Sequence, residues 1–182
     1  TGAAGFIGSH LCEKLLGRGH QIVGLDNFDP FYAAAIKERN LAALVLPPGF
    51  SLVRGDILDG ALVERLVGAR PDLVCHLAAL AGVRPSLQQP ARYAAVNVSG
   101  TVNLLEACRR HDVRRFVFAS SSSVYGAHSP VPFTESDPAV RPASPYAATK
   151  RAGELLCSTY ADLYGTAVTC LRFFTVYGPR QR

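Results

Sequence analysis

The sequence predicts an α/β fold built on a mostly parallel sheet with helices on both faces. Three observations predict it. Short apolar runs alternate with longer segments of helical periodicity, so that strands are joined by crossover helices. The apolar runs are near-continuous, as in strands buried on both sides. The 182 residues are 48% hydrophobic and 18% charged, enough for one core of ordinary domain size.

Glycines at 2, 5 and 8 open the first helical pattern, Phe6 to Leu16, whose apolar positions are Ile7, Leu11, Leu15 and Leu16. Gln21 to Leu25 reads as a strand ending at Asp26. A short helix (AAAIKERNLAALV) follows, closed by Pro47-Pro48-Gly49. Ser51 to Arg54 is the next strand and runs into Gly55-Asp56. After a short helix over Ala61 to Val67, the strand Asp72 to Leu77 enters Ala78-Ala79. Pro90 to Arg110 reads as one long helix. Arg115 to Ala119 is a strand leading into a run of serines. Ser144 to Tyr164 is a second long helix, with Pro145 in the first turn, where its missing N–H does no harm. Ala167 to Phe173 is the last strand. Parallel strands joined in this way take right-handed crossovers. Gly126 to Ala143 holds Pro130, Pro132, Pro138 and Pro142, and a loop of that length in a compact domain is usually functional or disordered.

Composition excludes several classes. The net charge is +5, but the basic clusters, Arg109-Arg110 and Arg114-Arg115, flank a helix end, where cations complement the helix dipole. No nucleic-acid partner is expected. No run approaches the roughly 20 apolar residues that cross a bilayer, and no charged-then-apolar leader opens the chain. No membrane partner is expected either. The five cysteines (Cys12, Cys75, Cys108, Cys157, Cys170) are odd in number and lack CxxC spacing, which reads as buried thiols in a reducing compartment. The expected location is cytoplasmic. The five histidines are dispersed, so no metal site is expected. The chain has no Met and opens at Thr1-Gly2, inside a motif. It reads as a fragment: one partial domain over residues 1–182, without the strand before the motif and without a C-terminal substrate domain.

That motif is Gly2-Ala3-Ala4-Gly5-Phe6-Ile7-Gly8. Side chains here would keep a diphosphate from the backbone, and the helix N-terminus that follows favours anionic oxygens. Asp26, one helix and one strand later, is an acceptor for both ribose hydroxyls of an adenosine, as in a Rossmann-type doubly wound sheet. Ala3 and Ala4 are not basic and Asn27-Phe28 follows the acid, so nothing greets a 2′-phosphate. NAD is expected over NADP. Asp56, before Ile57, is either a loop cap or a partner of the adenine amine.

Tyr146 and Lys150 stand four apart and share one helix face. A phenol with a pKa of about 10 is a poor base. A nearby ammonium and an oxidised nicotinamide would lower that pKa, making Tyr146 a proton acceptor for an alcohol that loses hydride. Ser121 would hydrogen-bond the same substrate oxygen.

TGAAGFIGSHL, Asp26, HLAA (His76 to Ala79), NVSGTVNLLEA, SSSSVYG, PYAATK and LRFFTVYGPR together resemble the extended short-chain dehydrogenase/reductase family. The resemblance covers nearly the whole chain. It is greatest to the nucleotide-sugar epimerases and dehydratases and, within them, to the UDP-glucuronate 4-epimerase branch. It implies tightly bound NAD, a UDP-sugar substrate, inversion at C4 through a 4-keto sugar, and a homodimer. Leu77, Ala78, Ala79 and Phe173 join the implied cofactor-binding set. Lys150 would hold the nicotinamide ribose. Asn97 either supports the site or caps a helix. Thr175 stands at a diphosphate-contacting position. Ser122 and Ser123 occupy positions where related dehydratases carry acids, and as hydroxyls they would bond a carboxylate at C6. Arg182 and Arg84 would add a charge-assisted bond to that carboxylate or the diphosphate. Arg84 reads equally as a solvated loop arginine. The rival activities are UDP-glucose 4-epimerase and UDP-glucuronate decarboxylase. A regulator that senses NAD without turnover is a rival of another class, but such proteins lose the Tyr or the Lys.

Overall fold

A computed structural model describes residues 1–42, 44, 48–127 and 129–181. Among them, five parallel strands form two sheets. Helix α1 (Phe6–Leu16) leads to β1 (Ile22–Asp26), and α2 (Ala34–Ala42) crosses to β2 (Phe50–Arg54). β1 and β2 pair with Asp26 opposite Arg54. Helix α3 (Gly60–Gly68) crosses to β3 (Val74–His76), then β4 (Arg115–Ser121) and β5 (Ala167–Phe173) complete the second sheet in the order β3-β4-β5. Pro47, which was expected to help close α2, lies outside the described residues.

The expected sheet is therefore split in two. The split falls where the doubly wound order puts a strand ahead of the glycine turn. The Thr1 nitrogen donates to the Cys75 carbonyl at 2.7 Å on one side, and Gly2 N donates to the Leu25 carbonyl at 2.8 Å on the other.

The helix expected over Pro90 to Arg110 is also interrupted. Helix α5 (Pro90–Ala94) and helix α6 (Gly100–Arg110) are separated by a π-helical turn, Ala95–Ser99. Such wide turns often mark functional positions, and this one carries Asn97 inward, where it is buried. Two short elements were not expected. Helix α4 (Val83–Gln88) is too short for periodicity to reveal and contains Pro85. A 3-10 turn (Ser122–Tyr125) forms because Ser121 Oγ accepts Ser123 N at its start. β3 spans Val74–His76 instead of Asp72 to Leu77, because pairing with β4 is limited to three residues.

Helix α7 (Pro145–Tyr164) is well bounded. Ser144 Oγ accepts Ala147 N at 3.1 Å, a cap worth about 1 kcal/mol, and Gly165 ends the helix at φ 69°. The main core (Val63, Leu105, Phe116, Phe118, Cys157) lies between the β3-β4-β5 sheet and helices α3, α6 and α7. A second cluster of Ala3, Ala4, Cys12, Leu41 and Leu44 fills the space under α1 and α2. The arginine clusters are paired at the surface: Arg109 and Arg110 with Glu106, Arg110 with Glu64, and Arg114 with Asp112. No described helix is long and apolar enough to cross a membrane. Cys12, Cys108 and Cys157 are buried as expected, while Cys75 is half-buried and Cys170 is exposed.

Gly153 lets α7 lie directly on β4. A Cβ there would overlap the fully buried ring of Phe118. Gly153→Ala should destabilise the fold by about 1–3 kcal/mol through overpacking, read as a lowered denaturation midpoint with an unchanged slope in urea.

Candidate active site

A cavity of about 810 Å³ opens at the carboxyl ends of β1, β3 and β4, where ligands sit in doubly wound sheets. Its floor is the glycine turn. Gly2 has φ 72°, a left-handed conformation that favours glycine, and a Cβ there would lie 2.8 Å from Ala78 N. A Cβ on Gly8 would overlap the Gly2 carbonyl oxygen. The turn can therefore hold neither side chain. Gly2, Gly5 and Gly8 present bare backbone to the cavity, with Phe6 and Ile7 beside them. No side chain caps the N-terminus of α1 and no acid lies in its first turn, so its positive dipole end is left for an anion. This surface fits a dinucleotide diphosphate.

The end of β1 makes one wall. Asp26 lines the cavity, but its carboxylate is already engaged: Oδ1 accepts Phe28 N at 2.9 Å and Lys37 Nζ at 3.1 Å, and Oδ2 accepts Ala4 N at 3.1 Å. A carboxylate has about four acceptor sites, so about one remains, on Oδ2. That site is open to a ribose hydroxyl. Asp56 fits both readings. It caps its own loop by accepting Leu58 N at 2.9 Å, accepts Asn27 Nδ2 at 2.8 Å, and lines the cavity with Asn27 and Ile57.

Leu77, Ala78 and Ala79 form the middle of the floor. Asn97 does not line the cavity, which corrects its place among cofactor-contacting residues. Neither does it cap a helix. Its Oδ1 accepts Leu80 N at 2.8 Å, while Nδ2 donates to Leu80 O and Thr149 Oγ1, both at 3.0 Å. It thus ties the loop after β3 to α7, one residue from Lys150.

Ser121, Tyr146, Lys150 and Phe173 meet on the opposite wall. Ser121 lies close enough to the Tyr146 phenol to favour its ionised form. Burial pushes the Tyr146 phenol up from its ordinary value, and Ser121 offsets only part of that. The positive charge expected to lower this pKa was to come from Lys150 and an oxidised nicotinamide together. Lys150 Nζ donates to the Ala119 carbonyl at 2.7 Å and lies 5.1 Å from the Phe118 ring centre. Its burial lowers the ammonium pKa to about 8.

The remaining expected residues lie elsewhere. Ser122 and Ser123 are half-buried in the 3-10 turn and do not line the cavity, because the chain turns away after Ser121. Arg84 is exposed on α4, in keeping with the solvated reading, and Thr175 is exposed beyond β5. Neither lines the cavity. Arg182 lies outside the described residues. No group of three His, Cys, Asp or Glu among the described residues is arranged to hold a metal.

Several cavity residues were not foreseen: Lys37, Asn40, Arg180 and Gln181. Nothing local in the sequence marks Lys37 as a partner of Asp26. A second omission, Glu154, was legible, since Tyr146, Lys150 and Glu154 repeat at four-residue spacing along one face. Glu154 accepts Ser120 Oγ at 2.5 Å, Arg172 Nε at 2.9 Å and Arg151 Nη1 at 2.9 Å. Burial opposes its ionisation, but these partners outweigh burial and hold its carboxyl below the usual range. Arg172 reaches on to the Asp137 carbonyl and the Tyr125 ring, binding the proline-rich loop to the site.

Residues 1–182 match the profile of the NAD-dependent epimerase/dehydratase family. The chain is 49% identical over 181 residues to UDP-glucuronate 4-epimerase 3 of Arabidopsis thaliana, covering 98% of this chain and 42% of that protein. Among solved structures, it is similar to a UDP-glucuronic acid 4-epimerase from Bacillus cereus in complex with UDP-glucuronic acid and NAD. That match has 41% identity and a TM-score of 0.88 over 100% of this chain and 57% of that one. It is also similar to the UDP-glucose 4-epimerase of Thermus thermophilus in complex with NAD, with 41% identity, a TM-score of 0.85, and coverage of 100% and 56%. The chain thus spans about half the length of the relatives it matches.

The buried ammonium carries a linkage signature. With its pKa near 8 in the folded chain and 10.5 unfolded, Lys150 burdens the fold below pH 8, and stability recovers as pH rises toward 10.5. The swing is on the order of 3 kcal/mol. In urea titrations at pH 7.5 and 10, Lys150→Met should remove this part of the alkaline gain. An identical pH dependence in the two proteins would contradict it.

Proposed function

The chain belongs to the NAD-dependent epimerase/dehydratase family, and from that premise we propose that the whole protein inverts C4 of UDP-glucuronate with NAD as its resident cofactor. The observation that carries this reading is that Ser121, Tyr146 and Lys150 together line the wall of the cavity that the glycine turn floors. A proton acceptor for an alcohol thereby faces a dinucleotide cradle.

Gly2, Gly5 and Gly8 would take the diphosphate, and Asp26, Asn27 and Asp56 the adenosine. Leu77 to Ala79, Lys150 and Phe173 would take the nicotinamide half. Bound NAD supplies reversible removal of hydride from C4. Ser121 would hold the C4 oxygen in line with Tyr146, and Tyr146 would take its proton as the 4-keto sugar forms and return it after the sugar turns over. Burial holds the phenol protonated, so the reaction needs added positive charge beside it. The Lys150 ammonium, on the next turn of α7, supplies it. With a pKa of about 8 that ammonium stays mostly protonated at neutral pH, and the oxidised nicotinamide would add a second positive charge beside the phenol.

The choice of UDP-glucuronate rests on the relatives rather than on Ser122 and Ser123, which lie off the cavity. The second reading, UDP-glucose 4-epimerase, is favoured by the equal identity to the Thermus enzyme. A homodimer through α6 and α7 accords with Leu155 and Leu163, which are 52% and 66% exposed on α7. We assign the protein to the cytoplasm, with a nucleotide sugar as its partner and neither nucleic acid nor membrane.

Product analysis of the full-length protein decides the activity. UDP-glucuronate should yield the C4 epimer without loss of carbon dioxide, and faster than UDP-glucose reacts. A preference for the neutral sugar would establish the second reading, and carbon dioxide release would establish a decarboxylase. Tyr146→Phe should lower kcat by about 10²–10⁴-fold while NAD remains bound.

A further inference from the structure

We propose that Lys37 determines how the cavity tells NAD from NADP, acting through Asp26, and that it is a latent receptor for a 2′-phosphate. This rests on the reading of the cavity as a dinucleotide site. The ion pair Lys37 Nζ–Asp26 Oδ1 is 3.1 Å long, and its side chains are only 7% and 5% exposed. Both line the cavity, together with Asn40. The ammonium lies 5.2 Å from the Tyr32 ring centre and 5.9 Å from that of Phe28, so its surroundings are aromatic rather than aqueous. Asn40 Nδ2 donates to the Ala4 carbonyl at 3.1 Å, while its buried Oδ1 has no hydrogen-bond partner among the described residues. The same wall thus holds an acceptor without a donor, which suits a hydroxyl.

The pair is neutral as a unit. The one acceptor site left on Asp26 Oδ2 suits the hydroxyl of an unphosphorylated ribose. A 2′-phosphate would place two negative charges against a carboxylate whose partner cation is already engaged. Removing the carboxylate reverses this, because a buried cation without its partner is strongly unfavourable and a phosphate would restore the balance. Arg54 is the competing cation. It stands opposite Asp26 in the sheet and 3.9 Å from the Phe28 ring centre, but its side chain is 57% exposed and pairs with Glu38 at 2.6 Å. Arg54 does not line the cavity.

The test titrates NAD and NADP into the cofactor-stripped full-length protein by calorimetry. The wild type should bind NAD more tightly. Asp26→Asn should gain about tenfold or more in NADP affinity, the scale of a hydrogen bond to a charged group, and lose NAD affinity. Asp26→Asn combined with Lys37→Met should lose that gain. If the double variant keeps it, Arg54 is the receptor and the proposal is overturned. Lys37→Met alone should weaken NADP about tenfold more than NAD, because the carboxylate is then uncompensated. Equal weakening of both would reveal a merely structural lysine and also overturn the proposal. This arm decides even if Asp26→Asn fails to fold. A wild type that binds neither dinucleotide would refute the cavity reading itself, an outcome distinct from all of these.

Discussion

The close approach of Gly2 to Gly8 and to the backbone of Ala78 is the constraint on which the rest depends. It keeps side chains off Gly2 and Gly8 in the cavity floor and sets the entry of α1. It also puts the Gly2 amide within reach of the Leu25 carbonyl, so the cradle is tied directly to the end of β1. Any side chain added at Gly8 would disturb the cradle and this tie, since it would push against Gly2 before it met a ligand.

On the far wall the limiting term is desolvation. Lys150 is sealed against Phe118 and the Ala119 carbonyl, and Tyr146 is held protonated by the same burial. One turn further along α7, Glu154 stays ionised in comparable burial because it has Ser120, Arg151 and Arg172 as partners. The contrast explains the division of labour on this helix face. The fully partnered carboxylate anchors β4, β5 and the proline-rich loop, while the under-partnered phenol and ammonium remain able to exchange protons. Asn97 does for the loop after β3 what Glu154 does for β5.

Much of this was legible in the sequence where one local rule governs. The bounds of α1 and β5 follow from periodicity, and the start of α7 from Ser144 and Pro145. Ser121, Tyr146 and Lys150 were found through spacing and element order. What was not legible arises from contacts distant in sequence. Lys37 meets Asp26 only because α2 folds back over the end of β1, and no local pattern encodes that approach. The saturation of Asp26 by Ala4 N and Phe28 N was hidden for the same reason, since backbone donors leave no trace in residue type. The place of Ser122 and Ser123 in a 3-10 turn was hidden because a run of identical residues gives no sign of where a strand ends.

The wide turn at Ala95–Ser99 has a consequence for how this chain tolerates changes in length. The wide turn already absorbs one extra residue, and an α-helix advances by roughly 100° per residue, so a further residue inserted there would rotate all of α6. Leu104, Leu105 and Cys108 would swing out of the core, and Asn97 would lose its place beneath Leu80. A stretch that reads in the sequence as ordinary helix is thus less forgiving of insertions than the surface loops around it.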